Sequence, residues 1–278
     1  MTVLVTGATG TVGRHVVRAL RERHVPVRAF ARTRETLADA LAGADRMFLA
    51  CGNVPEQVEF ECAAIDAAAA AGVRRVVKLS GPAPAAGSPL IFERWHGEIE
   101  AHLADSGLPS VLLRPAAYLT NLLAYAGTVA AAGVLPAPAG DARVSFVDPR
   151  DVAEAAAACL TGAGHEGRAY ALTGPEAITF GRVAEELSAA TGRPVRYLPV
   201  TDEDARAAMI GQGLPAPVAE AIVAIFASQR AGSMTATTDA VRELTGHEPR
   251  SITTFARDHA DAFRPAPAEG RRIATPAG

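Results

Sequence analysis

Three glycines near the start of the chain have the spacing of a dinucleotide-binding turn. Gly7, Gly10 and Gly13 form a G-x-x-G-x-x-G pattern directly after the apolar run 3–5. In such a turn the first glycine permits a tight bend, the second lets the backbone approach a ligand, and the third lets a helix pack on its strand. That helix, predicted to reach about residue 24, would offer free N–H groups and a partial positive charge to a pyrophosphate. The residues predicted to bind the cofactor here are Gly7, Ala8, Thr9, Gly10, Thr11, Val12 and Gly13.

The end of the second predicted strand, 25–30, indicates which dinucleotide is bound. An acidic side chain there would accept hydrogen bonds from both ribose hydroxyls and favour NAD. The chain instead has Ala29-Phe30-Ala31, followed by Arg32 and Arg34. A cation without a neighbouring acid suits a 2′-phosphate, so we predict NADP(H), with Arg32 on the phosphate. The alternative is that both arginines form a solvated start of a helix.

Strands and helices alternate along the first half of the chain. Strands are predicted at 3–5, 25–30, 46–50, 74–80 and 110–114, and helices between them at 35–42, 55–71 and 90–106. This alternation predicts an α/β fold of the Rossmann type, a doubly wound parallel sheet with right-handed crossovers. Ligands of such sheets bind beyond the carboxyl ends of the strands. Further cofactor contacts are therefore expected at Ala50, Cys51, Gly52 and Ser80.

The second half of the chain has a less regular pattern. It predicts a helix at 118–132, a strand at 143–147, a helix after Asp148, strands at 168–172 and 195–199 around a helix at 180–191, and further helices from 202. We expect a nucleotide-binding domain at 1–150, a small, mainly helical substrate lobe at 151–265 interleaved with it, and a disordered tail at 266–278. The apolar segment 214–230 would be either a lid or an oligomer contact, as in a homodimer.

Composition narrows the range of partners. The 278 residues carry a net charge of −3, which argues against binding to nucleic acid or an anionic membrane surface. No apolar run is long enough to span a bilayer, and a strand begins at once where a signal peptide would stand. The three cysteines lack C-x-x-C spacing, and no His/Asp/Glu spacing suggests a metal, so we expect a cytoplasmic protein without a metal site.

Several stretches resemble the NmrA-like, atypical branch of the short-chain dehydrogenases/reductases, and especially its NAD(P)H:quinone oxidoreductases. The matching stretches are 5–13, 72–80, 98–109, 113–115 with 121–123, and 147–153. The resemblance implies an NADP(H)-binding oxidoreductase whose substrate cleft is lined beyond Pro115, at Ala117, Tyr118 and Asn121. It is specific to the superfamily and not to one substrate.

The chain departs from this family at two places. Only residues 31–45 separate the second strand from the next, which is too short for the additional strand and helix that family members usually carry there. One edge strand of the sheet is therefore predicted to be missing. In addition, the Tyr-x-x-x-Lys pair of many short-chain dehydrogenases aligns with Phe92 and His96, and Phe92 cannot donate a proton.

These features predict an NADPH-dependent reductase that needs no strong general acid to protonate its substrate. Hydride transfer to a quinone gives a stabilised hydroquinone anion, so we expect a quinone or polycyclic aromatic substrate, for example of polyketide type. The predicted catalytic residues are His96 and Ser80, and His96 would donate to the developing oxyanion, bind the nicotinamide ribose, or have no role. The predicted substrate contacts are Phe92, Ala117, Tyr118 and Asn121. The alternatives are a regulator that binds NADP(H) without turnover, and a structural partner that binds it poorly.

Overall fold

The computed structural model describes residues 1–30 and 37–265. Arg32 and the tail 266–278 lie outside the described residues. In chain order the elements are β1 (Val3–Thr6), α1 (Gly13–Glu22), β2 (Val27–Phe30), α2 (Leu37–Leu41), β3 (Arg46–Leu49), α3 (Gln57–Ala70), β4 (Arg75–Leu79), α4 (Ile91–Asp105), β5 (Ser110–Pro115), a 3-10 helix (Leu119–Tyr125), α5 (Ala126–Ala132), β6 (Val134–Ala137), α6 (Pro149–Thr161), β7 (Ala169–Leu172), α7 (Phe180–Thr191), β8 (Arg196–Pro199), α8 (Asp202–Gly211), α9 (Ala216–Arg230), α10 (Ala240–Thr245), α11 (Ile252–Asp258) and a 3-10 helix (Ala260–Phe263).

A six-stranded parallel sheet forms the centre of the molecule. Its strand order is β2-β1-β3-β4-β5-β7, and every neighbouring pair is parallel. Helices cover both faces, which is why all of β1 and the last three residues of β3 are buried and why both strands are mainly apolar. The predicted Rossmann-type α/β fold is confirmed, and the carboxyl ends of β1, β3, β4 and β5 lie side by side at one edge.

The sheet is short on the side of β2. Among residues 1–30 and 37–265, no strand pairs with the outer edge of β2. The described part of the link to β3 contains only α2, a helix of five residues. This agrees with the prediction of a missing edge strand.

Two apolar clusters fill the space between the sheet and its helices. On one face α1 packs against β1 and β2, α6 packs against β3, β4 and β5, and α10 lies beside α6. On the other face α2, α3 and α4 cover the sheet. Because α6 begins at Pro149 and β7 and α10 follow it, the chain returns to the sheet after its first half.

A third apolar cluster forms a second unit around α7, α11 and the two-stranded parallel pair β6–β8. The prediction of a strand at 143–147 was wrong, because this segment makes two isolated bridges to different partners. Val144 pairs with Ile178, and Val147 pairs with Tyr118. The helix predicted at 118–132 is divided into a 3-10 helix and α5.

The apolar segment 214–230 contains α9, which packs on α8 and is joined to it by an ion pair of 2.7 Å between Arg206 and Glu220. Its role as a lid or an oligomer contact stays a prediction. Among the described helices, none has both the length and the apolar character that crossing a bilayer requires.

Candidate active site

The glycine turn is closed by backbone contacts that leave no room for side chains. Gly7 has φ +59°, and a Cβ there would lie 2.9 Å from the carbonyl oxygen of Ala50. A Cβ on Gly13 would lie 2.1 Å from the carbonyl oxygen of Gly7. The first and third glycines therefore fulfil the predicted functions of a tight bend and of close helix–strand packing.

The open side of the turn suits a phosphate group. Thr9, Gly10 and Thr11 are exposed, and α1 begins immediately afterwards. In the part of the chain that the structure describes, no side chain caps α1, and its first turn contains no acidic residue. The N–H groups of Arg14, His15 and Val16 donate to backbone carbonyls, whereas those of Thr11, Val12 and Gly13 make no backbone hydrogen bond among the described residues. These three N–H groups and the positive end of the helix dipole can therefore face an anion. Since a side chain at Gly13 would disrupt this cradle, the residues present fit a dinucleotide pyrophosphate.

Thr6 fixes the end of β3 to the end of β1. Its hydroxyl accepts from the N–H of Ala50 at 2.8 Å and donates to the carbonyl of Ala50 at 3.0 Å. The predicted cofactor residues Ala50, Cys51 and Gly52 follow directly, going from buried to exposed. The structure thereby brings this segment against the glycine turn.

Ser80 lies at the end of β4, 4% exposed, and its hydroxyl donates to Glu100 Oε1 at 2.6 Å. Arg114 at the end of β5 binds the same carboxylate through both oxygens, at 3.1 and 2.6 Å. The Ser80 proton is thus directed at Glu100 on α4. A catalytic role for Ser80 stays a prediction, and this geometry favours a part in joining α4 to the sheet.

His96 lies in α4, one turn before Glu100, and is 8% exposed. Its Nδ1 lies 3.4 Å from Nζ of Lys78, which β4 places beneath it. Burial, and secondarily the Lys78 charge, lower the pKa of His96 to about 3. Its imidazole is therefore neutral at physiological pH, with one N–H to donate and one nitrogen to accept.

The predicted substrate residues lie on two elements. Phe92 is in the first turn of α4, and its ring meets that of Trp95 edge to face at 5.6 Å. Tyr118 packs against the cluster under α1 and α6, whereas Ala117 packs against the second unit. Burial raises the pKa of the Tyr118 hydroxyl. The segment 117–121 therefore connects the two units, and Asn121 at its end is exposed. Contact of these residues with a substrate stays a prediction.

One group of side chains in the described ranges has the spacing of metal ligands: Asp151, Glu154 and His247. Arg250 already binds it, through an ion pair with Asp151, a contact of 2.8 Å to Glu154 and a backbone N–H to Asp151 at 2.7 Å. Because the guanidinium compensates both carboxylates, this group is explained without an ion.

Lys78 and its partner Glu61 are not among the predicted site residues. Lys78 is the only lysine of the chain and stands between valines and a leucine in a central strand. Both side chains are fully buried, with Nζ 2.6 Å from Glu61 Oε2. A single charged residue inside an apolar strand could have indicated a buried ion pair, because a buried charge needs a partner of opposite charge.

The chain belongs to the NmrA-like family, whose profile it matches over residues 31–255. It is 38% identical to an NAD(P)H azoreductase of Xenophilus azovorans, over 94% of this chain and 99% of that protein. It is 41% identical to a (4-alkanoyl-5-oxo-2,5-dihydrofuran-3-yl)methyl phosphate reductase of Streptomyces griseus, over 95% and 99% respectively.

The crystal structure of the NADPH-dependent quinone oxidoreductase QOR2 of Escherichia coli, in complex with NADPH, has the same fold. It superposes with a TM-score of 0.84 at 30% identity, over 92% of this chain and 99% of that one. The family resemblance is thereby confirmed. So are the predictions of an NAD(P)H-dependent oxidoreductase and of NADP(H) as its cofactor.

Proposed function

We propose that this chain reduces a quinone or polycyclic aromatic acceptor, with polyketide-type aromatics among the candidates, by direct hydride transfer. The observation that carries the proposal is the lack of a general acid at the position where the reductases with a Tyr-Lys pair have their tyrosine. By the family resemblance Phe92, in the first turn of α4, aligns with the tyrosine, and His96 is neutral at physiological pH. Such a site suits an acceptor whose reduced oxygen is weakly basic, because that oxygen needs stabilisation more than immediate protonation.

The chain's own residues would then bind and orient. The glycine turn and the start of α1 would hold the pyrophosphate of the cofactor, and Ala50, Cys51 and Gly52 would line the adjacent part of the site. NADPH, when bound, supplies the hydride. The N–H of the neutral His96 donates a hydrogen bond to the oxygen on which negative charge accumulates.

The names of three relatives support this acceptor chemistry. They describe reduction of an azo compound, of an oxo-dihydrofuran phosphate and, in Escherichia coli, of a quinone. All three classes offer a conjugated system that can delocalise the electron pair it receives. A planar conjugated acceptor is the feature they share.

The test is NADPH oxidation with a matched panel of acceptors. We expect turnover with a naphthoquinone and with a larger polycyclic quinone, and none with a saturated ketone such as cyclohexanone. Equal turnover with the saturated ketone would contradict the proposed chemistry. NADPH binding without turnover on any acceptor would favour the alternative of a regulator.

Replacing His96 by alanine should lower kcat with a naphthoquinone by about tenfold to a hundredfold, because one donor to the developing charge is lost. Since the pKa of His96 is about 3, its protonation should leave no limb in the pH profile of wild-type kcat between about pH 5 and pH 8. The matched control is His102→Ala on the same helix, since His102 is more exposed and pairs with Asp66 at 2.8 Å. An unchanged kcat in His96→Ala, or a limb near neutral pH that disappears in it, would remove His96 from this role.

Arg32→Ala should weaken NADPH binding by about 1.5–3 kcal/mol and leave NADH almost unaffected, as for the loss of a charged hydrogen bond to a 2′-phosphate. Titration calorimetry with both dinucleotides measures the difference. Arg34→Ala is the matched control and should change both affinities little. Equal losses for NADPH and NADH in Arg32→Ala would take Arg32 away from the phosphate.

A further inference from the structure

The buried ion pair beneath His96 is not explained by stability. Lys78 and Glu61 are both fully buried, and their charged atoms lie 2.6 Å apart. Removing two charges from water costs so much free energy that apolar side chains of the same size often stabilise a core as well or better. The pair is therefore expected to serve a local purpose, and the nearest reactive group is His96.

Two hydrogen bonds and one ion pair surround the ammonium of Lys78. Nζ donates to the carbonyl of Leu79 at 2.9 Å, lies 3.4 Å from Nδ1 of His96, and forms an ion pair with Glu61 Oε2 at 2.6 Å. An ammonium can only donate. In its contact with Lys78, therefore, Nδ1 of His96 must be the acceptor.

The surrounding residues hold this arrangement in place. Gln57 donates to Glu61 Oε1 at 3.2 Å and so orients the carboxylate. On its other side the imidazole lies against Gly81, where a Cβ would come within 2.8 Å of His96 Cδ2. The ring is thus confined between the ammonium and the backbone after β4.

We propose that Lys78, anchored by Glu61, is a positioning residue that fixes the neutral His96 in the tautomer with its proton on Nε2. A neutral imidazole whose Nδ1 accepts must carry its hydrogen on Nε2. Nε2 has no hydrogen-bond partner among the described residues, so its N–H is left for a ligand. The catalytic meaning of this tautomer rests on the proposed function, whereas the tautomer itself is a property of the chain.

The test is the tautomer of His96, read from the ring ¹⁵N shifts of histidine-labelled full-length protein, with His96→Gln identifying the signal. In the wild type we expect a pyridine-type Nδ1 and a pyrrole-type Nε2. In the double variant Glu61→Gln/Lys78→Met, which removes both charges together, both nitrogens should move toward averaged shifts. Quinone turnover should fall by about twofold, because in an even mixture of tautomers the Nε2–H donor is present about half of the time.

Cys62→Ala is the control, since Cys62 follows Glu61 on α3 and lies outside the site. Its His96 shifts and its turnover should match those of the wild type. A wild-type proton on Nδ1, an unchanged tautomer in the double variant, or equal averaging in Cys62→Ala would overturn the proposal. Failure of the proposed function is seen separately, as a wild-type protein with Nε2 protonated that turns over no quinone.

Discussion

Gly13→Ala is expected to weaken NADPH binding by about tenfold or more, equivalent to at least about 1.4 kcal/mol. The new Cβ would lie 2.1 Å from the carbonyl oxygen of Gly7 and 2.7 Å from its carbonyl carbon. Both atoms are backbone, so no side-chain rotation relieves the overlap. Either α1 moves away from β1 or the turn opens, and each change displaces the N–H groups that face the phosphates.

The same variant should lose about 1–3 kcal/mol of unfolding free energy, as other overpacked core positions do. The loss follows because Gly13 is buried in the cluster that joins α1 to the sheet. Urea unfolding measures the stability, and titration calorimetry measures the NADPH affinity.

Gly127→Ala is the matched control for this substitution. Gly127 lies exposed in α5, and a Cβ there meets nothing within 4 Å. Because alanine has the higher helix propensity, this variant should gain about 0.5–1 kcal/mol and bind NADPH like the wild type. Wild-type NADPH affinity in Gly13→Ala would show that the close approach of α1 is not needed for the cradle.

The glycine turn was predictable because all its determinants are local. Strand, turn and helix follow one another within about twenty residues, and each glycine answers a steric demand of its neighbours. The helix at Asp148 was predictable for the same reason. The Asp148 side chain accepts from the N–H of Arg150 at 2.8 Å, and Pro149 occupies the first turn.

Two segments with distant partners were not predicted correctly, the strand β6 and the segment 143–147. β6 contains Pro136, which argues against a strand, yet it forms the edge of a two-stranded pair with β8, sixty residues later in the chain. Segment 143–147 has the alternation of a strand, but its neighbours change from one residue to the next, including a bond from Ser145 N–H to the carbonyl of Met234. Sequence patterns report the environment of a segment, and not which partner provides it.

The candidate site shows the same division. Ser80 and His96 could be located by their place after and beyond a strand, because parallel strands bring such positions to one edge. Their partners could not, since the contacts of Ser80 with Glu100 and of His96 with Lys78 depend on how α4 packs on the sheet, and the ion pair of Lys78 with Glu61 depends on how α3 packs there. The partners nevertheless decide what each group can do, as the Ser80 proton directed at Glu100 illustrates.

Lys78→Met alone is expected to lower the free energy of unfolding by about 3–5 kcal/mol, among the largest losses any single substitution in this core would cause. The cause is the carboxylate that it leaves behind. Glu61 is fully buried, and without Lys78 its one remaining partner within residues 1–30 and 37–265 would be the neutral donor Gln57, at 3.2 Å from its other oxygen. Such a carboxylate must either remain charged in an apolar setting or take up a proton at neutral pH.

The double variant Glu61→Gln/Lys78→Met should be more stable than Lys78→Met, although it contains one more substitution. Its glutamine has the shape of the glutamate, keeps an acceptor for Gln57 and carries no charge. Urea unfolding of the wild type, the two single variants and the double variant closes a thermodynamic cycle for the pair.

The coupling free energy between Lys78 and Glu61, obtained from this cycle, distinguishes two roles of the pair. A large coupling together with a stable double variant would show that each charge is retained because of the other, and that the core itself does not need them. The free energy that it costs to bury both charges would then be explained by their effect on His96, whose proton they keep on Nε2. A double variant that loses the sum of the two single losses would instead mean that the two side chains act independently, and that Lys78 is needed for packing.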